Sequence, residues 1–312
     1  MFQLFPRDDP ADFAWPVFLG HHADHREDER MKLISYRDGE GDTVGVVDGN
    51  GVINVGRASN VEGQTLRQIL VNDALDAARA YAEGRAADST LDDVTLLPLI
   101  PDPEKIICVG LNYASHAAEG GNKLPEFPSL FPRYSNTQVG HGQPMIRPKV
   151  SETFDYEGEF AFVIGKAGRH VKKADAYSHV AGYSCYNDGS IREWQRHTTQ
   201  YLPGKNFVGT GGFGPWLVTT DEIPDPSVLS IQTRLNGDVM QQGTLDDLIF
   251  DVPKLVEYIS TFTELVPGDV ISTGTTSGVG AYRTPPVWMK AGDTIEVEVS
   301  QIGVLRNPII DE

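Results

Sequence analysis

Short strand-like segments dominate the sequence from Lys105 to the C-terminus, and this pattern restricts the fold more than any other feature. They are separated by turns and read KIICVG, HVAGYSCYND, WLVTT, SIQTRLNG, GDVISTG and GDTIEVEVSQIGVL. One helical pattern, VPKLVEYISTFTEL, interrupts them. The 32 glycines and 20 prolines among 312 residues indicate many turns. The sequence therefore predicts an α+β fold rich in β-strands rather than a helical bundle.

The sequence divides into three parts. Residues 1–30 combine charges with three histidines and show no helix or strand pattern, so they are expected to form a flexible N-terminal extension. Residues 31–100 contain short strand patterns and one helical stretch, TLRQILVNDALDAARAYAEG, which predict a small N-terminal α+β domain. Prolines at positions 98, 101 and 103 indicate a joint, and residues 101–312 are expected to form the main domain.

The formal net charge of −18 argues against nucleic acid and anionic membranes as partners. A small anionic substrate remains compatible, because it responds to the local field of its site. No apolar run is long enough to cross a bilayer, and the N-terminus lacks the pattern of a signal peptide, so a cytoplasmic location is expected. The two cysteines, Cys108 and Cys185, lie in apolar segments and are expected to be buried reduced thiols.

The segment FDYEGEFAFVIG, residues 154–165, places two charges inside an apolar strand pattern. Glu157 and Glu159 are two residues apart, and such side chains project from the same face of a strand. Neighbouring carboxylates repel each other unless a cation lies between them or one is protonated. A hard divalent cation such as Mg²⁺ or Ca²⁺ would neutralise both. The alternative is an exposed polar face of the strand.

A third carboxylate, Asp188, lies in YSCYNDGSIREWQ, where an apolar strand pattern meets a turn. Three carboxylates suit an octahedral Mg²⁺ or Mn²⁺ ion that keeps positions open for water and substrate. The alternative role for Asp188 is an Asx-turn or a helix N-cap, which the sequence NDGS also suits.

The segment GLNYASHAAEGG contains His116 and Glu119, three residues apart. If ASHAAE is helical, these two side chains share a face and can form a hydrogen bond. A carboxylate beside an imidazole raises its basicity and fixes its tautomer, which suits a general base acting on water. The flanking glycines indicate a mobile lid. The alternative is a surface pair on a short helix.

Two glycine-rich segments offer groups that can bind an anion. Lys205, in LPGKNFVGTGGFGPWLVT, has no obvious acidic partner in the sequence and could hold a substrate carboxylate or an enolate oxygen. Otherwise it is an exposed loop lysine. The segment STGTTSGVGAY, residues 272–282, could present N–H groups and hydroxyls to an anion, although it lacks the Walker spacing. Its alternative is a tight turn.

Taken in order, these segments resemble the fumarylacetoacetate hydrolase family. The matching stretches are GLNYASHAAE, YEGEFAFVIG, YNDGSIREWQ, PGKNFVGTGGFGPWLVT, LDDLIFDVPKLVEYIS and LVPGDVISTGTTSGVG, which together cover roughly residues 105–310. The resemblance implies a catalytic domain built as a mixed β-roll or β-sandwich, often preceded by a small N-terminal domain. It also implies a homodimer.

The resemblance also implies roles for the candidate residues. The family binds Mg²⁺ or Mn²⁺, and in some members Ca²⁺, through two glutamates and one aspartate that match Glu157, Glu159 and Asp188. The family's water-activating dyad matches His116 and Glu119, and its active-site lysine matches Lys205. The substrate-facing positions match Arg192, Gln195 and Thr275.

The segment at residues 130–140 departs from the family pattern. It reads LFPRYSNTQVG where many relatives read LFLKPPSAL. Arg133 and Tyr134 therefore replace the usual Lys-Pro pair. We expect the segment to lie near the mouth of the site, where Arg133 and Tyr134 would contact the substrate and affect its selection.

The function implied by the resemblance is metal-dependent hydrolysis of a C–C bond in an acylpyruvate-like or fumarylpyruvate-like 2-oxo acid. Water activated by His116 and Glu119 would attack the distal carbonyl and release a metal-chelated enolate. Lys205, Gln195 and Arg192 would stabilise the developing charge. Alternatives on the same fold are decarboxylation of oxaloacetate and isomerisation or hydration of a 2-oxo-enoic acid. An alternative of another class is a metal-stabilised binding protein without catalysis.

Overall fold

The computed structural model describes residues 31–121 and 123–312, so the extension predicted for residues 1–30 lies outside the described residues. The described strands are β1 Lys32–Asp38, β2 Gly41–Asp48, β3 Gly51–Asn54, β4 Ser89–Thr90, β5 Thr95–Leu96, β6 Ile106–Gly110, β7 Ser129–Arg133, β8 Gln138–Val139, β9 Met145–Arg147, β10 Phe154–Asp155, β11 Gly158–Ile164, β12 Val180–Asp188, β13 Ser190–Ile191, β14 Gly211–Thr219, β15 Ser230–Leu235, β16 Asp238–Thr244, β17 Val270–Thr275, β18 Thr294–Val299 and β19 Gly303–Asp311. The described α-helices are α1 Leu66–Val71, α2 Leu75–Ala82, α3 Ala114–Glu119, α4 Arg192–Gln195, α5 Leu202–Lys205 and α6 Val252–Phe262. The predicted α+β, β-rich fold class is confirmed.

One large sheet contains twelve of these strands. Its order is β4-β3-β2-β1-β14-β12-β11-β17-β6-β7, with β5 beside β1 and β8 beside β14. β1 pairs antiparallel with β14, so the sheet runs across the boundary expected between residues 31–100 and 101–312. The division into two domains stays a prediction, but their strands share hydrogen bonds.

A second sheet, in the order β16-β15-β18-β19-β9, packs on the central strands of the large one. The core between them contains Phe160, Phe162 and Tyr183 from the large sheet, with Ile231 and Val297 from the small sheet. All five side chains are buried, which is the arrangement of a β-sandwich. Both cysteines are free and buried, as predicted.

The helices differ in detail from the sequence patterns. The stretch predicted as one helix at residues 65–84 forms two, α1 and α2, because Asp73 adopts a left-handed conformation with φ of 54°. Helix α6 is capped by the Asp251 side chain, which accepts from the Lys254 N–H at 2.8 Å. Among the described residues, no helix is long and apolar enough to cross a membrane.

Strand β11 is held between β12 and β17 and is buried along its whole length. At its first residue, Gly158, an added Cβ would lie 2.0 Å from Thr233 Oγ1 on β15. The two sheets therefore approach so closely here that only glycine fits. This approach fixes the position of the residues on either side, Glu157 and Glu159.

We predict that Gly158→Ala destabilises the fold through this contact. An extra methyl group in a packed interior typically lowers the free energy of unfolding by about 1–3 kcal/mol. Thr233→Ala should be close to neutral alone, because Thr233 Oγ1 is buried without a hydrogen-bond partner in the described structure. Urea unfolding of both single variants and the double variant tests this. If the double variant is as unstable as Gly158→Ala, the contact with Thr233 is not the reason for glycine.

Candidate metal centre and active site

Three buried carboxylates meet where β11 begins and β12 ends. Glu157 directly precedes β11, Glu159 is its second residue, and Asp188 is the last residue of β12. Each offers one oxygen, and these oxygens lie within 4.8 Å of one another. The Asp188 N–H donates to the Glu157 carbonyl at 2.9 Å, which ties the two segments together. We call these three residues the carboxylate cluster. They are the three metal ligands predicted from the sequence, and the structure brings them together.

Glu159 is the least compensated member of the cluster. Its Oε2 accepts from Ser272 Oγ at 2.5 Å and from the Gly274 N–H at 2.9 Å. No lysine or arginine of the described residues forms an ion pair with it. Burial, with the charges of Asp188 and Glu157, raises its pKa well above the ordinary 4.5. A buried carboxylate without a cationic partner indicates a site that requires more positive charge.

Lys205, at the end of α5, lies against the cluster. Its Nζ donates to Glu157 Oε2 and, at 2.6 Å, to Asp188 Oδ2. The interpretation that Lys205 lacks an acidic partner is therefore wrong, because its two partners are 48 and 17 residues away in the sequence. Burial would lower the pKa of Lys205, but Asp188 and Glu157 hold it above its ordinary value. The lysine stays a cation.

Arg133 and Tyr134 are not placed where the sequence suggested. Arg133 Nη1 donates to Asp188 Oδ1 and to the Gly189 carbonyl at 3.0 Å, and Nη2 donates to Thr210 Oγ1 at 2.8 Å. Its side chain is fully buried behind Asp188, and Tyr134 is 53% exposed. Neither residue lines the central cavity described below. Arg133 orients a carboxylate of the cluster instead of contacting the cavity.

Arg192, at the start of α4, is held from two sides. Its Nε donates to Asp155 Oδ2 at 2.7 Å. Its Nη1 donates to Gln195 Oε1 at 3.0 Å and lies 2.6 Å from Glu157 Oε1. Although burial raises the pKa of Glu157, the charges of Arg192 and Lys205 outweigh it and bring the value to about 2. The Arg192 Nη2 is buried and has no hydrogen-bond partner in the described structure.

The predicted His–Glu pair forms on α3. His116 Nδ1 lies 3.2 Å from Glu119 Oε2, and His116 is almost fully buried. The Gly278 N–H donates to both Glu119 oxygens, at 3.0 and 3.2 Å. At the other end of the helix, Ser115 donates from its N–H and its hydroxyl to Asp247 Oδ2. Both ends of the helix are therefore tied to the body of the protein.

A cavity of about 250 Å³ joins these groups. The predicted site residues that line it are His116, Glu157, Glu159, Arg192, Gln195, Lys205 and Thr275. Thr275 Oγ1 donates to the Gly158 carbonyl at 2.8 Å and accepts from Gln241 Nε2 at 2.8 Å, so this hydroxyl is already engaged. The cavity is small and bordered by charged side chains.

Sequence reasoning missed several residues of the site. Those on the cavity wall include Phe131, Arg196, Tyr201 and Tyr282. Arg196 follows Arg192 by one helical turn, a spacing that could have indicated it. Asp155 was also missed, although it precedes Glu157 by two residues in the same alternating pattern as Glu159. The tyrosines carried no comparable signal.

The donor set of the cluster fits a hard divalent cation. All three groups are carboxylates, which suit Mg²⁺, Mn²⁺ and Ca²⁺ rather than metals that prefer sulfur. Their oxygens are already close together, and Glu159 lacks a cationic partner among the described residues. The cluster can therefore hold such an ion through Glu157, Glu159 and Asp188.

The sequence and the fold agree on one family. The sequence profile described as fumarylacetoacetate (FAA) hydrolase C-terminal matches residues 105–310. A mitochondrial oxaloacetate tautomerase of Homo sapiens is 37% identical over 288 residues, which are 90% of this chain and 92% of the relative. An oxaloacetate tautomerase of Bacillus subtilis (strain 168) is 42% identical over 224 residues, which are 70% and 74%.

A solved structure shares the fold. The fumarylacetoacetate hydrolase of psychrophilic Exiguobacterium antarcticum matches with a TM-score of 0.76 and 32% identity, covering 90% of this chain and 100% of the other. The chain described here belongs to the fumarylacetoacetate hydrolase family. Both oxaloacetate tautomerases and a fumarylacetoacetate hydrolase are members of this family of enzymes, so its members differ in the reaction they catalyse.

We predict that Glu159→Gln has opposite effects on stability and on metal binding. The raised pKa of Glu159 means that the folded, metal-free protein loses stability as pH rises from 4.5 through that pKa. Glutamine keeps the shape and removes this charge, so the metal-free variant should be more stable at pH 7. Its Mn²⁺ affinity should fall about tenfold or more, because a negatively charged carboxylate ligand is replaced by a neutral amide.

Thermal unfolding with a chelator and calorimetric Mn²⁺ titration measure the two effects. Glu152→Gln is the matched control, since the Glu152 side chain is 88% exposed. It should change neither quantity. Destabilisation of the metal-free protein by Glu159→Gln, or an unchanged Mn²⁺ affinity, would contradict the role assigned to Glu159.

Proposed function

We propose that this protein is a divalent-metal-dependent enzyme that interconverts the enol and keto forms of oxaloacetate or a closely similar 2-oxo dicarboxylic acid. The observation that carries the proposal is the position of His116. Its imidazole lies on the wall of the same small cavity as Glu157 and Glu159, with Glu119 behind it. The similarity to oxaloacetate tautomerases supports this choice of reaction.

The cavity favours a small substrate with negative charge. Its volume of about 250 Å³ lies below the roughly 300–1,000 Å³ of pockets for drug-sized ligands. Three cations, Arg192, Arg196 and Lys205, are on its wall. Arg192 is buried, whereas Arg196 is exposed and forms no ion pair with a described residue. Two arginines at different depths suit an acid with two carboxylates.

The proposed reaction moves a proton between a carbon and an oxygen. A divalent cation in the carboxylate cluster would polarise the 2-oxo group and acidify the carbon beside it. His116 removes the proton from that carbon, and Glu119 stabilises the imidazolium that forms. Lys205 and Arg192 stabilise the negative charge that develops on the oxygen, and the proton held by His116 then passes to this oxygen, directly or through water, so that the imidazole is neutral again. In the opposite direction, His116 returns the proton to the carbon.

C–C bond hydrolysis, the function expected from the sequence, is the second candidate. The specific observation in its favour is the same His116–Glu119 pair, which can take a proton from water as well as from carbon. The structural neighbour from Exiguobacterium antarcticum is a hydrolase. Decarboxylation of oxaloacetate and isomerisation or hydration of a 2-oxo-enoic acid also fit the same groups. These reactions differ in product and can be separated directly.

Assembly as a homodimer and a cytoplasmic location stay predictions. The human relative is a mitochondrial protein, whereas the other relative is from the bacterium Bacillus subtilis. We propose a small-molecule 2-oxo acid as the partner of the site. For the ion we propose Mg²⁺ or Mn²⁺, with Ca²⁺ as the alternative that the all-oxygen donor set also allows.

We predict that His116→Ala separates metal binding from catalysis. Loss of a general base typically lowers the rate by about 10²–10⁴-fold. Mn²⁺ affinity should stay near wild type, because His116 is not a member of the cluster. Glu157→Ala and Asp188→Ala should instead abolish Mn²⁺ binding. His170→Asn, at an exposed position with φ of 53° that asparagine tolerates, is the control and should behave as wild type.

Ultraviolet absorbance of the enol form measures turnover, and calorimetry measures Mn²⁺ and substrate affinity. A binding protein without catalysis would show no turnover, and His116→Ala and Glu119→Ala would leave its ligand affinity intact. Full turnover by His116→Ala would remove His116 from the mechanism.

A substrate panel with chelator controls distinguishes the candidate reactions. The proposed function predicts metal-dependent loss of the oxaloacetate enol without release of CO₂. It also predicts little or no pyruvate from acylpyruvates, because no hydrolytic step takes place. Pyruvate formation from an acylpyruvate would establish the hydrolase, and CO₂ release would establish the decarboxylase. Equal tautomerisation with and without chelator would contradict the role of the metal.

A further inference from the structure

Asp155 is a fully buried carboxylate beside the cavity that is not a member of the carboxylate cluster. Its Oδ2 accepts from Arg192 Nε at 2.7 Å and from the Ala281 N–H at 3.0 Å. Its Oδ1 accepts from the Gly280 N–H at 2.8 Å and from the Tyr156 N–H at 2.9 Å. One side chain therefore joins Arg192 on α4 to the turn at residues 280–282.

On the Arg192 side, these contacts fix the direction of the guanidinium. Asp155 holds Nε, while Glu157 and Gln195 hold Nη1. A planar guanidinium held at two of its three nitrogens has one orientation left. The third nitrogen, Nη2, is buried and has no partner among the described residues, and Arg192 lines the cavity. A buried donor without a partner requires an acceptor, and a substrate oxygen can supply it.

On the other side, Asp155 sets the position of the turn. A Cβ added to Gly280 would lie 2.6 Å from Asp155 Oδ1 and 1.9 Å from the Val287 carbonyl, so the backbone must approach the carboxylate without a side chain. The next residues of the turn, Ala281 and Tyr282, line the cavity. The Tyr282 ring lies 5.9 Å from the His116 ring, measured between centroids. The turn therefore forms the wall beside the proposed base.

We propose that Asp155 is a positioning residue that directs Arg192 Nη2 toward a carboxylate oxygen of the bound 2-oxo acid. The inference rests on the proposed function only in requiring a substrate with a carboxylate. It does not depend on whether that substrate is tautomerised, hydrolysed or decarboxylated.

The test is a double-mutant cycle of Asp155→Asn and Arg192→Gln. Asparagine has the same shape, but its amide nitrogen would face one of the donors that Asp155 now accepts from, so at least one hydrogen bond is lost. Asp155→Asn should weaken binding of the 2-oxo acid by roughly 10- to 100-fold. In steady-state kinetics, Asp155→Asn should raise KM by a larger factor than it lowers kcat.

The Arg192→Gln background separates positioning from a general structural role. If Asp155 acts through Arg192, adding Asp155→Asn to Arg192→Gln should weaken binding by less than about threefold further. A purely structural role predicts that the two effects multiply. Multiplied effects, or an unchanged affinity in Asp155→Asn, would overturn the inference. Asp225→Asn, which removes the charge of an exposed capping aspartate, is the matched control and should bind as wild type.

Binding of oxalate to the Mn²⁺-loaded variants, measured by calorimetry, gives a readout that does not require turnover. If wild-type protein binds oxalate but does not convert oxaloacetate, the proposed reaction fails while the Asp155 inference is still tested. If Asp155→Asn does not fold, the Arg192→Lys variant is used for the oxalate-binding measurement instead. Lysine keeps the charge but cannot bridge Asp155 and Glu157 with a planar fork, so it should bind oxalate about as weakly as Arg192→Gln. Wild-type affinity in Arg192→Lys would overturn the inference.

Discussion

The rest of the site depends on a buried network of opposite charges. Its carboxylates are Asp155, Glu157, Glu159 and Asp188, and its cations are Arg133, Arg192 and Lys205. Burying any one of these charges alone would be strongly unfavourable, and six of the seven form ion pairs with one another, whereas Glu159 forms none with a described residue. The pairs connect β7, β10, β12, α4, α5 and Glu157, the residue before β11. The network therefore determines how the loops at this end of the sheet are arranged.

The sandwich provides the rigid frame that such a network requires. Gly158 brings β11 close to β15, and the Asp188 N–H bonds to the Glu157 carbonyl, so two ligand-bearing segments have little freedom. The groups that must move protons are attached differently. Helix α3 has only six residues and is tied at its ends by Asp247 and Gly278. A rigid carboxylate cluster thus faces a base on a short, separately anchored helix.

Much of this was predictable from local sequence, and the remainder depends on distant contacts. The alternation in YEGE and the spacing of His116 and Glu119 are local, so both groupings could be predicted. The partners of Lys205 are not local, and the same applies to the bond from Arg133 to Asp188 across 55 residues. Local sequence also could not show that β1 joins β14 in one sheet. These features depend on contacts between residues that are far apart in the sequence, and the residue pattern within one segment does not predict such contacts.

The charges of the network explain why a cation and an acidic substrate can share one small cavity. Four carboxylates and three cations give a net charge of −1 when all are ionised. The raised pKa of Glu159 allows one proton to bring this value to zero in the metal-free protein. A divalent cation in place of that proton would bring the net charge to +1. The positively charged site would then attract an anionic acid. This change in net charge favours binding of the cation before the substrate.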